Sequence, residues 1–243
     1  MSHSSNSIPV PGALSLADLL LRGDAWLLRE WILKRRATVI WLCVFCIISG
    51  GGAYGAATGF WRDSLQALYT GIKLPLVILL TTAGNGLLNG MLAPLLGVSV
   101  GFRQSFVLVL ISFAITSLIL GGLSPVALFV VWNTPPLTSG TQLSSPEYGF
   151  LQLTLATFIA FAGLIGNLKL LPLLRQWSKT KGGARNVLLA WLSVNLFLGS
   201  QISWVLRPFI WDPAKERAFI GRQYLRGSFY ETVFKAGGRL FFP

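Results

Sequence analysis

Long apolar stretches separated by short polar or proline-bearing steps dominate the chain from residue 37 onward. Five of them, at 37–59, 73–96, 105–132, 149–171 and 187–211, reach the roughly 20 residues that a helix needs to cross a hydrocarbon core. Barrel strands would show segments of about ten residues alternating apolar and polar. The run VLVLISFAITSLILGG at 107–122 does not alternate in that way. The pattern therefore predicts an all-α fold, a polytopic transmembrane helical bundle of about five spans at 37–211.

Two amphipathic segments flank that bundle. Residues 1–12 are polar, rich in serine and broken by Pro9 and Pro11, a composition that predicts a disordered start. Across 13–36, Ser15-Leu-Ala-Asp18 has the form of a capping box. Leu16, Leu19, Leu20, Trp26, Leu27, Trp31 and Ile32 recur among Arg22, Asp24, Arg29 and Glu30, which predicts an interfacial helix. In the basic tail, 212–243, Phe229, Val233, Ala236 and Leu240 recur at helical spacing, which predicts a second one.

Composition then fixes the medium. With 53% hydrophobic and 12% charged residues among 243, the chain departs from soluble domains, where about a quarter are charged. The first apolar span begins behind a charged segment, so it is expected to stay in the mature protein rather than act as a secretory signal. Lys and Arg total 20 against 8 Asp and Glu, but they flank the spans, where anionic head groups supply the counter-charge. The expected partners are membrane lipids and other membrane protein subunits, not nucleic acid.

Charge asymmetry also predicts orientation. Lys34, Arg35 and Arg36 precede the first span, Arg103 marks the loop at 97–104, and Arg175, Lys179, Lys181 and Arg185 mark that at 172–186, whereas 132–149 carries no basic residue. Basic loops face the cytoplasm, so the N-terminus is expected on the cytoplasmic side of a bacterial inner membrane. Trp41, Trp177 and Trp191 would mark the inner interface and Trp61, Trp132 and Trp211 the outer one. The tail, with Lys215, Arg217, Arg222, Arg226, Lys235 and Arg239, runs against this rule, and its side stays open.

The second span carries the most unusual chemistry, TTAGNGLLNGML at 81–92. Residues four apart share a helix face, so Thr81, Asn85 and Asn89 form one stripe and Thr82, Gly86 and Gly90 the next. Amides cannot be satisfied by hydrocarbon, and small residues let helices approach, so a packing seam is expected. Its expected partners are Gly163, Gly166 and Asn167 on the fourth span, Ser193, Asn195, Ser200 and Gln201 on the fifth, and Gly50, Gly51, Gly52 and Gly55 on the first. A solute path lined by these amides is the alternative, although no carboxylate falls within the five spans to couple an ion. Lys73 and Arg207, each close to a proline, are expected at span ends, snorkelling to the interface. With Arg35 and Arg36 they are candidate lipid head-group contacts. Pro75, Pro94, Pro125, Pro172 and Pro208 are likewise expected near span ends.

Catalytic and metal signatures are absent. Cys43 and Cys46 form a CxxC inside IWLCVFCII, no third cysteine exists, and the single histidine is His3, too few ligands for a zinc site. No nucleophile elbow or phosphate-binding loop is present. Neither a cofactor nor an enzymatic activity is expected.

Four stretches carry a resemblance: Lys73-Leu-Pro75 through Leu79-Leu80-Thr81, Gly101-Phe-Arg-Gln-Ser-Phe106, Leu123-Ser-Pro125-Val126, and Trp204-Val-Leu-Arg-Pro-Phe-Ile-Trp-Asp-Pro213. Over residues 65–243 the chain resembles a family of bacterial multi-span inner-membrane proteins to which no activity is assigned. More loosely, in span number and orientation, it is similar to the five-span Yip family of trafficking proteins. The resemblance implies a fold and a membrane, not a mechanism. The expected function is a non-catalytic subunit or scaffold of a larger membrane assembly; the alternatives are a small-solute transporter or channel subunit, or a lipid-binding membrane protein.

Overall fold

The computed structural model describes residues 13–22, 24–135, 146–178, 182–206 and 219. Two short helices, α1 (Ala13–Arg22) and α2 (Ala25–Lys34), lead into the first span. That span consists of α3 (Arg36–Cys46), a π-helical turn at Ile47–Gly51 and α4 (Gly52–Gly59). Then follow α5 (Ser64–Leu95), α6 (Phe102–Trp132), α7 (Pro146–Leu168), the short α8 (Leu171–Arg175) and α9 (Gly183–Leu206). The fold is an all-α bundle. Among the described residues five lengths of helix are long and apolar enough to cross a membrane: Arg36–Gly59, Ser64–Leu95, Phe102–Trp132, Gly149–Arg175 and Gly183–Leu206. The chain is a multi-pass membrane protein.

α6 is the axis of the bundle. It holds the most apolar stretch of the five spans, and 61% of that stretch is buried, against 22% in the spans Gly149–Arg175 and Gly183–Leu206. The first span, α5 and α7 pack around α6, and α9 joins mainly through α5, so that α7 and α9 barely meet.

Glycines set the closest crossings. A side chain at Gly50 would overlap the Ser117 carbonyl of α6, and Gly121 of α6 faces Gly50 in turn. Gly55 and Gly59 bring α4 against the backbone of α5 at Thr70 and Ala67. Gly166 of α7 lies against Ser112 and Thr116 of α6.

Pro125 lies inside α6 rather than at its end, where its missing N–H deprives the carbonyl four residues earlier of its helical donor. That carbonyl, Gly121 O, accepts instead from the Ser124 hydroxyl at 2.7 Å, as backbone freed within a bilayer must be satisfied. Pro75 is likewise interior to α5. The carbonyl it frees, that of Gly71, sits against Gly52 of α4.

Several boundaries differ from the sequence expectation. α5 begins at Ser64, capped by Asp63, whose side chain accepts from Gln66 N at 2.8 Å. Gln66 and Thr70, polar enough to mimic a loop, are buried and bonded to each other, Gln66 Nε2 donating to Thr70 Oγ1 at 3.1 Å. Lys73 is therefore inside α5, buried, and not at a span end; its Nζ lies 5.2 Å from the ring centroid of Phe219. The segment 13–36 forms two helices, because Asp24 caps a new one by accepting from Leu27 N. Leu19, Leu20, Leu28, Trp31 and Ile32 pack into the protein, while Leu21, Trp26 and Leu33 face outward.

The two ends of the bundle differ in charge. After α5 the backbone N–H of Ser99 donates to Trp177 O at 3.0 Å, beside an antiparallel bridge between Val98 and Ser178. Both loops that the sequence assigns to one side thus touch. The N-terminal helices join them there: Lys169 Nζ donates to Leu21 O at 2.8 Å, and the Arg29 guanidinium lies 5.6 Å from the Trp177 ring centroid. At the opposite end Trp61 Nε1 donates to Pro135 O at 3.1 Å, tying the turn before α5 to the end of α6. Of the expected interface tryptophans, Trp41 and Trp132 are exposed, whereas Trp191 is fully buried in the core. Its helical register turns it toward α5. Trp211, Arg207, Pro208 and the expected helix at 212–243 lie outside the described residues, apart from Phe219.

Candidate functional site

The two polar stripes of α5 meet different neighbours. Gly86 and Gly90 admit the rings of Phe106 and Phe102 from α6, and Thr82 bonds back to Ile78 O at 2.8 Å. The other stripe faces α9. α5 and α9 run antiparallel, with Thr81 opposite Gly199 and Asn85 opposite Asn195.

The amides form a chain across three helices. Asn85 Nδ2 donates to Asn195 Oδ1, Asn195 Nδ2 donates to Asn167 Oδ1 at 3.2 Å, and Asn167 Nδ2 donates to Gly163 O of its own helix at 2.8 Å. All three are buried. Each bond satisfies groups that hydrocarbon would leave orphaned, so the chain fastens α9 and α7 to α5. The same antiparallel register brings Asn89 level with Trp191; both are fully buried, and the Asn89 amide and Trp191 Nε1 have no hydrogen-bond partner among the described residues.

The remaining candidates lie elsewhere. Ser193 and Ser200 bond back to carbonyls of α9 itself, at Leu189 and Leu196, and Gln201 is half-buried near the end of that helix. The first-span glycines contact the first half of α5 and α6, not the Thr81–Asn89 stripe. Arg35 and Arg36 form the corner between α2 and α3, half-buried. Cys43 and Cys46 are free and buried in α3. Among the described residues no three His, Cys, Asp or Glu side chains are grouped to hold a metal.

Beside the amide chain, where α7 and α9 part, lies a cavity of about 740 Å³. This is within the range of sites that hold small molecules. One wall is a row on α7 spaced four apart, Leu151, Leu155, Ile159, Gly163 and Asn167. The rise of a helix makes this row about 24 Å long. Leu74, Val77, Ile78 and Thr81 of α5, Phe113, Thr116 and Leu120 of α6, and Leu192, Asn195, Leu196 and Gly199 of α9 supply the other walls. Ala156, Ala160, Leu164 and Leu196 line the cavity and are also exposed. It therefore opens sideways, between α7 and α9, onto the apolar outer surface.

Asn167 and Asn195 close the cavity toward the basic end; Thr58, Gln152 and Ser203 approach it from the other. Among the described residues no Lys, Arg, Asp, Glu or His lines it. The four-residue period of the α7 row is visible in the sequence. The gap facing it is not, because it depends on how far apart two non-adjacent helices settle.

Comparison with protein-family models, with curated proteins and with solved structures finds no match. The class of protein rests on the fold and the cavity themselves: a multi-pass helical membrane protein, with five helices among the described residues able to cross a membrane and a laterally open apolar pocket.

Proposed function

We propose that this chain is a non-catalytic integral membrane protein that binds an apolar, membrane-dissolved molecule between α5, α6, α7 and α9. The observation that carries this reading is the cavity, sized for a ligand, lined almost wholly by hydrocarbon, and open toward the depth at which acyl chains lie. A water-filled path is disfavoured by the same lining and by the amide chain, whose members hydrogen-bond one another rather than a passing solute. The basic end, with α1, α2 and both short loops, is assigned to the cytoplasm of a bacterial inner membrane by the excess of arginine and lysine there.

A second reading, a subunit of a larger assembly, draws on the outer faces of α7 and α9. Phe150, Leu153 and Phe161, with Leu189, Leu196 and Phe197, are exposed and suit either acyl chains or a partner's helix. The glycine and asparagine seam adds nothing to this reading, since the chain's own helices cover it.

Extraction in mild detergent followed by lipid analysis separates these. One tightly held apolar molecule per chain, surviving extensive washing, supports the binding reading. Solute flux through reconstituted liposomes would replace it with a transporter, and a stoichiometric protein partner without bound lipid would favour the assembly.

A further inference from the structure

Resting on the reading of the cavity as a ligand site, we infer that the Thr81 hydroxyl is its polar anchor and that the ligand is a long apolar chain bearing an uncharged carbonyl group. Thr81 is 2% exposed, lines the cavity, and its Oγ1 has no hydrogen-bond partner among the described residues. Other threonines behave differently. Thr70, Thr82 and Thr116 each turn the hydroxyl onto the carbonyl four residues earlier, at 2.8–3.0 Å. Thr81 instead faces α9, its Cγ2 and Oγ1 lying 3.7 and 3.9 Å from where a Gly199 side chain would begin.

A buried hydroxyl without a partner is costly, and the neighbouring amides do not relieve it: Asn195 and Asn167 are engaged with each other, and Asn85 Oδ1, one turn along the stripe, makes no hydrogen bond to it. A ligand oxygen accepting the Thr81 O–H would. The ligand is uncharged, because among the described residues no ionic side chain lines the site and an unpaired charge at this depth is strongly disfavoured. It is long, because the α7 wall runs about 24 Å. Two membrane-soluble sources share this chemistry, glyceride esters and quinones with long side chains.

The test uses the full chain in dodecyl maltoside, a detergent without carbonyls, titrated by native mass spectrometry with dioleoylglycerol, decylubiquinone, or hexadecane as a carbonyl-free control. Thr81→Val removes the hydroxyl at nearly constant shape, Thr81→Ser keeps it, and Gly163→Phe fills the cavity from a position with nothing within 4 Å. The expected result is that Thr81→Val weakens one or both carbonyl ligands about three- to tenfold, the value of one hydrogen bond. Thr81→Ser stays within about twofold by the same measure, hexadecane is indifferent to both, and the carbonyl ligand bound more tightly identifies the source. Carbonyl ligands that bind, are displaced by Gly163→Phe, and are unaffected by Thr81→Val overturn the anchor and leave the pocket standing. No binding of any of the three, or binding indifferent to Gly163→Phe, overturns the pocket and the anchor together.

Discussion

Asn85 of α5 donates its side-chain amide to Asn195 of α9, 110 residues away in sequence. Asn195 passes the interaction on to Asn167 of α7, so the seam that marks α5 in the sequence fastens the last two spans of the same chain. Replacing the central member, Asn195→Leu, leaves the Asn85 donor and the Asn167 acceptor buried without partners. Stability should fall by about 1–2 kcal/mol, read from unfolding in mixed micelles. In an Asn85→Leu, Asn167→Leu background the same substitution should cost markedly less, since no stranded partner remains.

The glycines predict opposite outcomes at different positions. Gly50→Ala drives a methyl group into the Ser117 carbonyl and should destabilise by about 1–3 kcal/mol. Gly122→Ala meets nothing within 4 Å and, inside α6, should be neutral or stabilising by up to about 1 kcal/mol. Thermal denaturation of the two variants side by side checks the assignment of the close crossing.

Ser124 is assigned the task of satisfying the carbonyl that Pro125 frees. Ser124→Ala should cost about 1 kcal/mol, whereas in a Pro125→Ala background, where residue 125 regains its N–H, that cost should largely disappear. A double-mutant cycle measures the coupling, and additive effects would contradict the assignment.

The topology is open to labelling. The two buried native thiols lie in α3, so single cysteines introduced at Ser178 and Asn133 can be read in a Cys43→Ala, Cys46→Ala background. An impermeant maleimide applied to intact cells should label the Asn133→Cys chain and spare Ser178→Cys until the membrane is permeabilised.

Much of the fold was legible in the sequence for a simple reason: hydrocarbon demands long uninterrupted apolar helices, and five such stretches are plain to read. Boundaries were harder where polar residues turn inward. Gln66, Thr70 and Lys73 look like the edge of a span, yet α5 continues past them because their polar groups face protein. Pro125 misled for a related reason, as the hydroxyl of Ser124 relieves it inside the helix. Asn85, Asn167 and Asn195 could be singled out, because amides at bilayer depth must find partners. The cavity could not, since it is made by the absence of contact between α7 and α9, and no residue pattern records a gap. Thr81 is legible as part of the stripe, but that its hydroxyl is left over while those of Thr70 and Thr82 bond back to the helix depends on side-chain direction alone.

The central claim, that the space between α7 and α9 holds a membrane lipid, is tested most directly by native mass spectrometry of the extracted wild type beside Gly163→Phe. The wild type should carry one bound apolar molecule that the variant, folded and at least as thermally stable, has lost. Equal bound mass in both proteins, or none in either, would contradict the account.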